Sequence, residues 1–263
     1  MTAAAGVELA VDALSIRFGG LAAVDGISFE VREGEVLSLI GPNGAGKTTA
    51  FNAITGYVEP AGGNIAYRGT SLVGRTPNQI AELGVVRTFQ KTSVFTGLTV
   101  FDNVMIGLHL RSRQKPVAIL LGLPSVAREE RELRDAARET LQFLGLEMRA
   151  DQQASALPYG ELRLLEVAVA LAAKPKLLLL DEPVSGMNPA ETESFMRLLA
   201  RIRALGVTIL LVEHDMRMVM GVSDRVVCLN QGRIIASGAP AEIQRNPEVI
   251  KAYLGERYVR ARG

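Results

Sequence analysis

An α/β domain built on a mainly parallel sheet is what this 263-residue chain predicts. Three features carry that expectation. The runs "KLLLLDE" and "VTILLVEH" are continuously apolar, as strands buried on both faces are. The amphipathic run "AETESFMRLLARIRAL" lies between them, and strand–helix–strand alternation implies parallel pairing. The segment "GPNGAGKT" stands between the apolar strand "EVLSLI" and a helical run.

In chain order, "VELAVDALSIRF", "ISFEV" and "GEVLSLI" read as strands separated by Gly and Asp turns. The helical run "AFNAIT" ends at Gly56, and "GGNIAYRG" is a short strand between glycines. From Lys91 to Leu165 the character changes, because "TVFDNVMIGLHLRSR" and "AREERELRDAARETLQFLGL" carry helical periodicity with charge on one face. An inserted helical subdomain over 91–165 is expected, with 1–90 and 166–263 forming the core. The final third alternates again, and "DRVVCLNQGRIIASG" reads as a hairpin around Gln231-Gly232. Two short helices near "PAEIQ" and "NPEVIKAYL" complete the chain.

Composition narrows the function. Apolar residues make up 48%, enough for a large core. Lys+Arg is 29 against Asp+Glu 28, which argues against a broad nucleic-acid-binding face. The single cysteine, Cys228, excludes an internal disulfide, and its place in "RVVCL" reads as a buried strand residue rather than a nucleophile. The start lacks a basic region followed by a long apolar stretch. The apolar run from Val117 to Leu123 falls short of the roughly 20 residues that span a bilayer. The chain is therefore expected to be soluble and cytoplasmic, reaching a membrane only through a partner.

"GPNGAGKT", Gly41 to Thr48, fills every fixed position of the P-loop pattern in the strand-to-helix context that pattern needs. Gly41, Gly44 and Gly46 let the backbone turn tightly and aim N–H groups at phosphate oxygens. Lys47 supplies a point charge for the β/γ phosphates, and the Thr48 hydroxyl is a candidate Mg²⁺ ligand. Asp181 and Glu182 come after four leucines at a strand's carboxyl end, where ligands of open α/β sheets lie. Asp181 is assigned to the metal, which takes few carboxylates, and Glu182 to an attacking water. His214 and Gln90 end two further strands at the same sheet edge.

The order P-loop, Gln90, "LPYGE" (157–161), "LLLLDE" (177–182), "SGMNP" (185–189) and His214 resembles the ATP-binding subunit of an ABC transporter over nearly the whole chain. The resemblance implies a P-loop NTPase (RecA-like) core with an N-terminal antiparallel β subdomain and an inserted α-helical subdomain. It extends the phosphate cradle over Gly41, Pro42, Asn43, Gly44, Ala45, Gly46, Lys47, Thr48 and Thr49, and adds Gln90 to the metal set of Thr48 and Asp181. It makes Glu182, His214, Gln90 and Lys47 the catalytic group. Phe18 falls where the family stacks an aromatic under adenine, its alternative being an ordinary core position. "LPYGE" matches the family's signature Leu-Ser-Gly-Gly-Gln at Leu157 and Gly160, with Glu161 in the glutamine place. In the family that segment covers the ATP of a second subunit packed head to tail, which points Leu157, Tyr159, Gly160 and Glu161 at a partner's nucleotide. Two departures stand out: Pro158 removes the signature serine hydroxyl, and Asn188 replaces the D-loop aspartate.

"RTFQKTSVFTGLTVFDNVMIGLH", the aromatic in "LPYGE", "EHDMRMVMGVSDRVVCLNQG" and "NPEVIKAYLGE" are similar to the ATP-binding subunit of branched-chain amino acid importers. That implies ATP and Mg²⁺ as cofactors. It implies as partners a second ATPase subunit (in a homo- or heterodimer), transmembrane permeases and, indirectly, an extracytoplasmic solute-binding protein. The place is then the cytoplasmic face of the membrane. Urea or amide importers and the lipopolysaccharide-export ATPase are the related alternatives. In the family the permease docks in a groove between core and helical subdomain near Gln90, implicating Lys91 to Gly97 and the helix from Thr99. The apolar stretch 117–124 either meets the permease or membrane surface or packs within the helical subdomain. A chromosome-type relative is disfavoured because Lys47 and Asp181 lie only 134 residues apart (181 − 47). A tandem translation-type protein is disfavoured by the single P-loop. A small-molecule P-loop kinase leaves "LPYGE" and His214 without a role.

Overall fold

Two sheets share the chain in the computed structural model, which describes residues 6–88, 94–108 and 124–254. Strands β1 (Val7–Phe18) and β2 (Leu21–Arg32) pair antiparallel, and β4 (Gly62–Tyr67) and β5 (Thr70–Ser71) extend that sheet in the order β2-β1-β4-β5. The second sheet holds β3 (Val36–Ile40), β6 (Val85–Arg87), β7 (Leu177–Asp181), β8 (Thr208–Val212), β9 (Arg225–Asn230) and β10 (Arg233–Gly238). Its order is β10-β9-β3-β8-β7-β6, parallel throughout except for the β9–β10 hairpin.

The continuous apolar runs have a direct explanation. Side chains alternate across a strand, and each face of this sheet meets a different core. Leu178, Leu180, Ile209 and Leu211 enter one core with the helices α3 (Val100–Leu108), α4 (Pro124–Leu144), α5 (Tyr159–Ala172) and α6 (Pro189–Ala204). Leu177, Leu179, Leu210 and Val212 enter the other, with α1 (Lys47–Ile54) and the antiparallel sheet. Every position of β3, β7 and β8 is buried as a result.

The strands between Gly62 and Tyr67 and from Arg225 to Gly238 match the sequence expectation. The hairpin turns at Gln231 (φ 48°) and Gly232 (φ 78°), both left-handed as a tight two-residue turn needs. Helix α2 (Pro77–Glu82) is an addition to that expectation. Its signal is "TPNQ": Thr76 and Gln79 form a reciprocal capping box with Pro77 at the first helical position. Helices α7 (Met216–Val222), α8 (Pro240–Arg245) and α9 (Pro247–Leu254) close the far side. There Cys228 is fully buried, and burial pushes its thiol up to about 11, so it is not a nucleophile. Among the described residues no helix is long and apolar enough to cross a membrane. Gln90, Lys91 and the stretch 117–123 lie outside the described residues.

Candidate functional site

Register brings the site together. Leu39 of β3 pairs with Val212 of β8, and Val212 pairs with Asp181 of β7, so three neighbouring strands end level. The segments leaving these ends converge: the P-loop after β3, Glu182 after β7, Glu213 and His214 after β8. β3 also lies between β8 and β9, where the order of connection reverses, the place at which open α/β sheets hold ligands.

The P-loop glycines answer to space as well as to phosphate. A Cβ on Gly41 (φ 147°) would lie 2.1 Å from the Leu229 carbonyl oxygen. One on Gly46 (φ 104°) would lie 2.6 Å from that of Ala23. The Gly232 N–H donates to the Ala45 carbonyl (3.0 Å) and the Asp25 N–H to that of Gly232 (2.9 Å), locking the loop between the β9–β10 turn and β2. The Lys47 ammonium donates to the carbonyls of Gly41 (2.7 Å) and Pro42 (3.1 Å). Burial lowers its pKa from the ordinary lysine value, with Glu182 and Asp181 pulling the other way.

A cavity of about 610 Å³ is lined by Asn43 to Thr49, by Glu182 and Gln231, and by Leu21 to Ala23 of β2. Phe18 pairs across the hairpin with Leu21 and is 54% exposed, which removes its reading as a core residue. Gln231 was not anticipated, being hidden in a turn that sequence reads only as a turn.

Asp181 is fully buried and one carboxylate oxygen accepts from the Arg87 guanidinium at 2.6 Å. Arg87 also donates to Asn52 Oδ1 (2.7 Å) on α1 and lies over the Phe51 ring. Burial raises the Asp181 carboxyl above the usual aspartate range, against the pull of Arg87. Its other oxygen, Oδ1, is buried with no hydrogen-bond partner. An orphaned carboxylate oxygen beside a loop carrying the Thr48 hydroxyl is a donor set suited to Mg²⁺, which takes one or two carboxylates together with substrate phosphates. No group of three or more His, Cys, Asp or Glu that could hold a metal forms among the described residues.

Glu182 sits at φ 49°, in the left-handed region that side chains other than glycine rarely adopt. Its N–H donates to the Val212 carbonyl (2.8 Å), so the strain is held by the sheet edge. His214 Nδ1 lies 3.9 Å from Glu182 and equally far from Glu213. Glu213, absent from the sequence-based set, is fully buried and accepts from the backbone N–H groups of Val184, His214 and Asp215 at 3.0–3.3 Å. Burial raises its carboxyl despite those donors.

The segment "LPYGE" opens α5. Its N-cap, Pro158, makes no side-chain cap; its carbonyl accepts from the Leu162 N–H (2.9 Å), the first bond of the helix, and its side chain satisfies none of the N–H groups before that one. Leu157 is partly buried against the helical core. Gly160 lies against the Glu191 side chain, whose carboxylate a Cβ there would meet at 2.8 Å and displace. A Cβ on Gly186 would meet the Tyr159 ring at 2.9 Å, so the aromatic lies on the segment after β7. Glu161 pairs with Arg149 at 3.0 Å. Asn188 caps α6: Oδ1 accepts from Ala190 (2.9 Å) and Glu191 (3.0 Å), while the Glu191 carboxylate accepts from the Asn188 N–H. Its carbonyl is thus engaged within its own chain. The structure therefore joins Asn43 to Thr49 with Glu182 in one cavity, and sets Leu157 to Glu161 on a separate element.

A family described as "ABC transporter" matches residues 24–185, and one described as "Branched-chain amino acid ATP-binding cassette transporter" matches 233–259. The chain is 48% identical, over 94% of its length and 98% of the relative's, to the "High-affinity branched-chain amino acid transport ATP-binding protein LivG" of Salmonella typhimurium. It is 45% identical, with the same coverage, to the corresponding protein BraF of Pseudomonas aeruginosa. A solved nucleotide-free ATP-binding cassette from an ABC transporter superposes with a TM-score of 0.84 at 30% identity, covering 95% of this chain and 100% of that one.

Proposed function

The chain belongs to the ABC transporter family of ATP-binding subunits, and from that premise we propose that it powers import of branched-chain amino acids. It is an ATPase of a transporter and works with membrane permeases. The observation that carries the solute class is the near-complete match to LivG together with the match of residues 233–259. In this reading it sits at the cytoplasmic face and dimerises head to tail with a second ATPase subunit, alike or different. An extracytoplasmic solute-binding protein delivers the solute; nucleic acid has no part. Its working parts are the core, 1–90 and 166–263, and the helical signature subdomain, 91–165.

The P-loop N–H groups and the Lys47 ammonium hold the β/γ phosphates, which draws Lys47 away from the Gly41 and Pro42 carbonyls. Phe18 stacks on adenine. Thr48, Asp181 and Gln90 hold Mg²⁺, which neutralises phosphate charge. Glu182 accepts the proton of the water that attacks the γ-phosphorus as the bond to ADP breaks. His214 orients that water and the γ-phosphate. Leu157, Tyr159, Gly160 and Glu161 of each subunit cover the other's nucleotide with the uncapped α5 N-terminus, whose dipole favours an anion. Without a hydroxyl at Pro158, backbone groups carry that contact.

The permease docks in the cavity of about 470 Å³ lined by α2, β6, α3 and α5, including Ile80, Val86, Thr88, Ile106, Glu166 and Val169. Reconstitution of the chain with its permeases in vesicles tests the assignment. Leucine-loaded binding protein is expected to stimulate ATP hydrolysis and to deliver leucine in the import direction. Stimulation by a urea- or amide-loaded protein alone would overturn the solute class, and outward movement would overturn import.

A further inference from the structure

The last described helix, α9, reaches the P-loop. The paired part of β3 ends with Ile40 opposite Cys228, so the Gly41 N–H is the first amide beyond that ladder. Gly41 is buried, and a buried N–H left without a partner is unfavourable. Its acceptor is the Tyr253 hydroxyl at 2.8 Å, on a residue 212 positions away. Val249 and Tyr253 stand one helical turn apart on α9, at the spacing that places two side chains on one face. Val249 is 4% exposed and joins the cluster that holds Ile40, the residue before Gly41, together with Val226 and Cys228. Asn246 fixes the start of the helix, its Oδ1 accepting from the Glu248 N–H at 2.9 Å. Burial of part of the Tyr253 side chain pushes its phenol up to about 12, so it stays a hydroxyl at neutral pH. Tyr253 also falls within residues 233–259, the stretch matched by the branched-chain cassette family.

We propose that Tyr253 is a positioning residue of the P-loop, holding the Ile40–Gly41 peptide in the orientation from which the following N–H groups turn to the phosphates. This rests on the reading of the P-loop as the phosphate site. Without nucleotide, two side chains grip the first residue of the loop. Tyr253 accepts from the Gly41 N–H, and Lys47 donates to the Gly41 carbonyl at 2.7 Å. When phosphate draws Lys47 away, Tyr253 keeps its hold. Its bond therefore matters more in the nucleotide-bound state, where the loop is no longer free to relax toward another partner. By linkage the effect runs both ways: bound nucleotide stabilises the docking of α9, and a docked α9 favours nucleotide.

The test compares the natural chain with Tyr253→Phe, which keeps the ring and removes the acceptor. Lys47→Ala is the control for the phosphate site. The probe is a non-hydrolysable ATP analogue with Mg²⁺, titrated in calorimetry. Tyr253→Phe is expected to bind it about three- to tenfold more weakly, one neutral hydrogen bond lost. In steady-state hydrolysis its KM for ATP is expected to rise by the same factor with kcat held within about twofold, as loss of uniform binding requires. Lys47→Ala is expected to bind about tenfold or more weakly, having lost a charge-assisted contact. If Lys47→Ala binds as the natural chain does, the phosphate-site reading itself falls. If it loses binding while Tyr253→Phe does not, the positioning role alone falls, and a lowered unfolding midpoint then marks Tyr253 as a packing residue of α9. Hydrogen exchange supplies a second readout: the analogue is expected to slow amides 250–253 several-fold in the natural chain and not in Tyr253→Phe. No slowing in the natural chain, or equal slowing in both, would overturn the coupling.

Discussion

Replacing Arg87 by methionine isolates the pair that holds Asp181. The two side chains are 6% and 0% exposed and 2.6 Å apart, so the substitution leaves a carboxylate buried with neither oxygen paired. Breaking a buried ion pair from one side destabilises by about 3–5 kcal/mol, most of it the uncompensated charge. The penalty is expected to depend on pH. Burial already raises the Asp181 carboxyl and Arg87 pulls it down, so loss of Arg87 raises it further. With the folded pKa above the unfolded one, the folded state binds the extra proton, and stability falls as pH rises through that window. The penalty is therefore largest at neutral and alkaline pH and shrinks on acidification as Asp181 takes up its proton. Guanidinium unfolding of both proteins over a pH series reads this directly. Adding Asp181→Asn to Arg87→Met is expected to restore part of the stability, since no buried charge remains. A penalty below about 1 kcal/mol, or one indifferent to pH, would refute the claim that the pair is a desolvated ion pair.

Three more outcomes are expected at the site. Glu182→Gln is expected to lower turnover by about 10²–10⁴ with nucleotide binding intact; near-normal turnover in a steady-state assay rejects Glu182 as the base. Phe18→Ala is expected to change unfolding stability by less than about 0.5 kcal/mol, because the ring is exposed. It should weaken ATP binding by about 1–3 kcal/mol in calorimetry, and unaltered affinity would remove Phe18 from the adenine site. Asn188→Ala is expected to destabilise the chain by about 1 kcal/mol through loss of the α6 cap. An unchanged denaturation midpoint would show that the capping box contributes nothing.

Much of the site was legible because its chemistry is written in contiguous strings. The P-loop pattern needs only eight neighbouring residues, and a run of four leucines ending in Asp181 and Glu182 announces a buried strand that stops at an acid. The fold class was readable for the same reason, since a parallel sheet covered on both faces demands unbroken apolar runs and helices between them. Arg87 was not legible as a partner: it comes after two valines in a three-residue strand, and the aspartate it holds is 94 residues away. Glu213 reads in sequence as one more charge beside His214, and only folding shows it sealed in and accepting from backbone on two chain segments. The same holds for the neighbours of Gly160, read in the sequence as a signature glycine, and of Gly186, which stands there only within "SGMNP". The approach of one segment to another decides that Gly160 faces Glu191 and Gly186 faces Tyr159. Which residues carry the chemistry, and which strands they end, could be read along the chain. Their partners could not, because burial and register across distant segments, rather than spacing between neighbours, set what each charge meets.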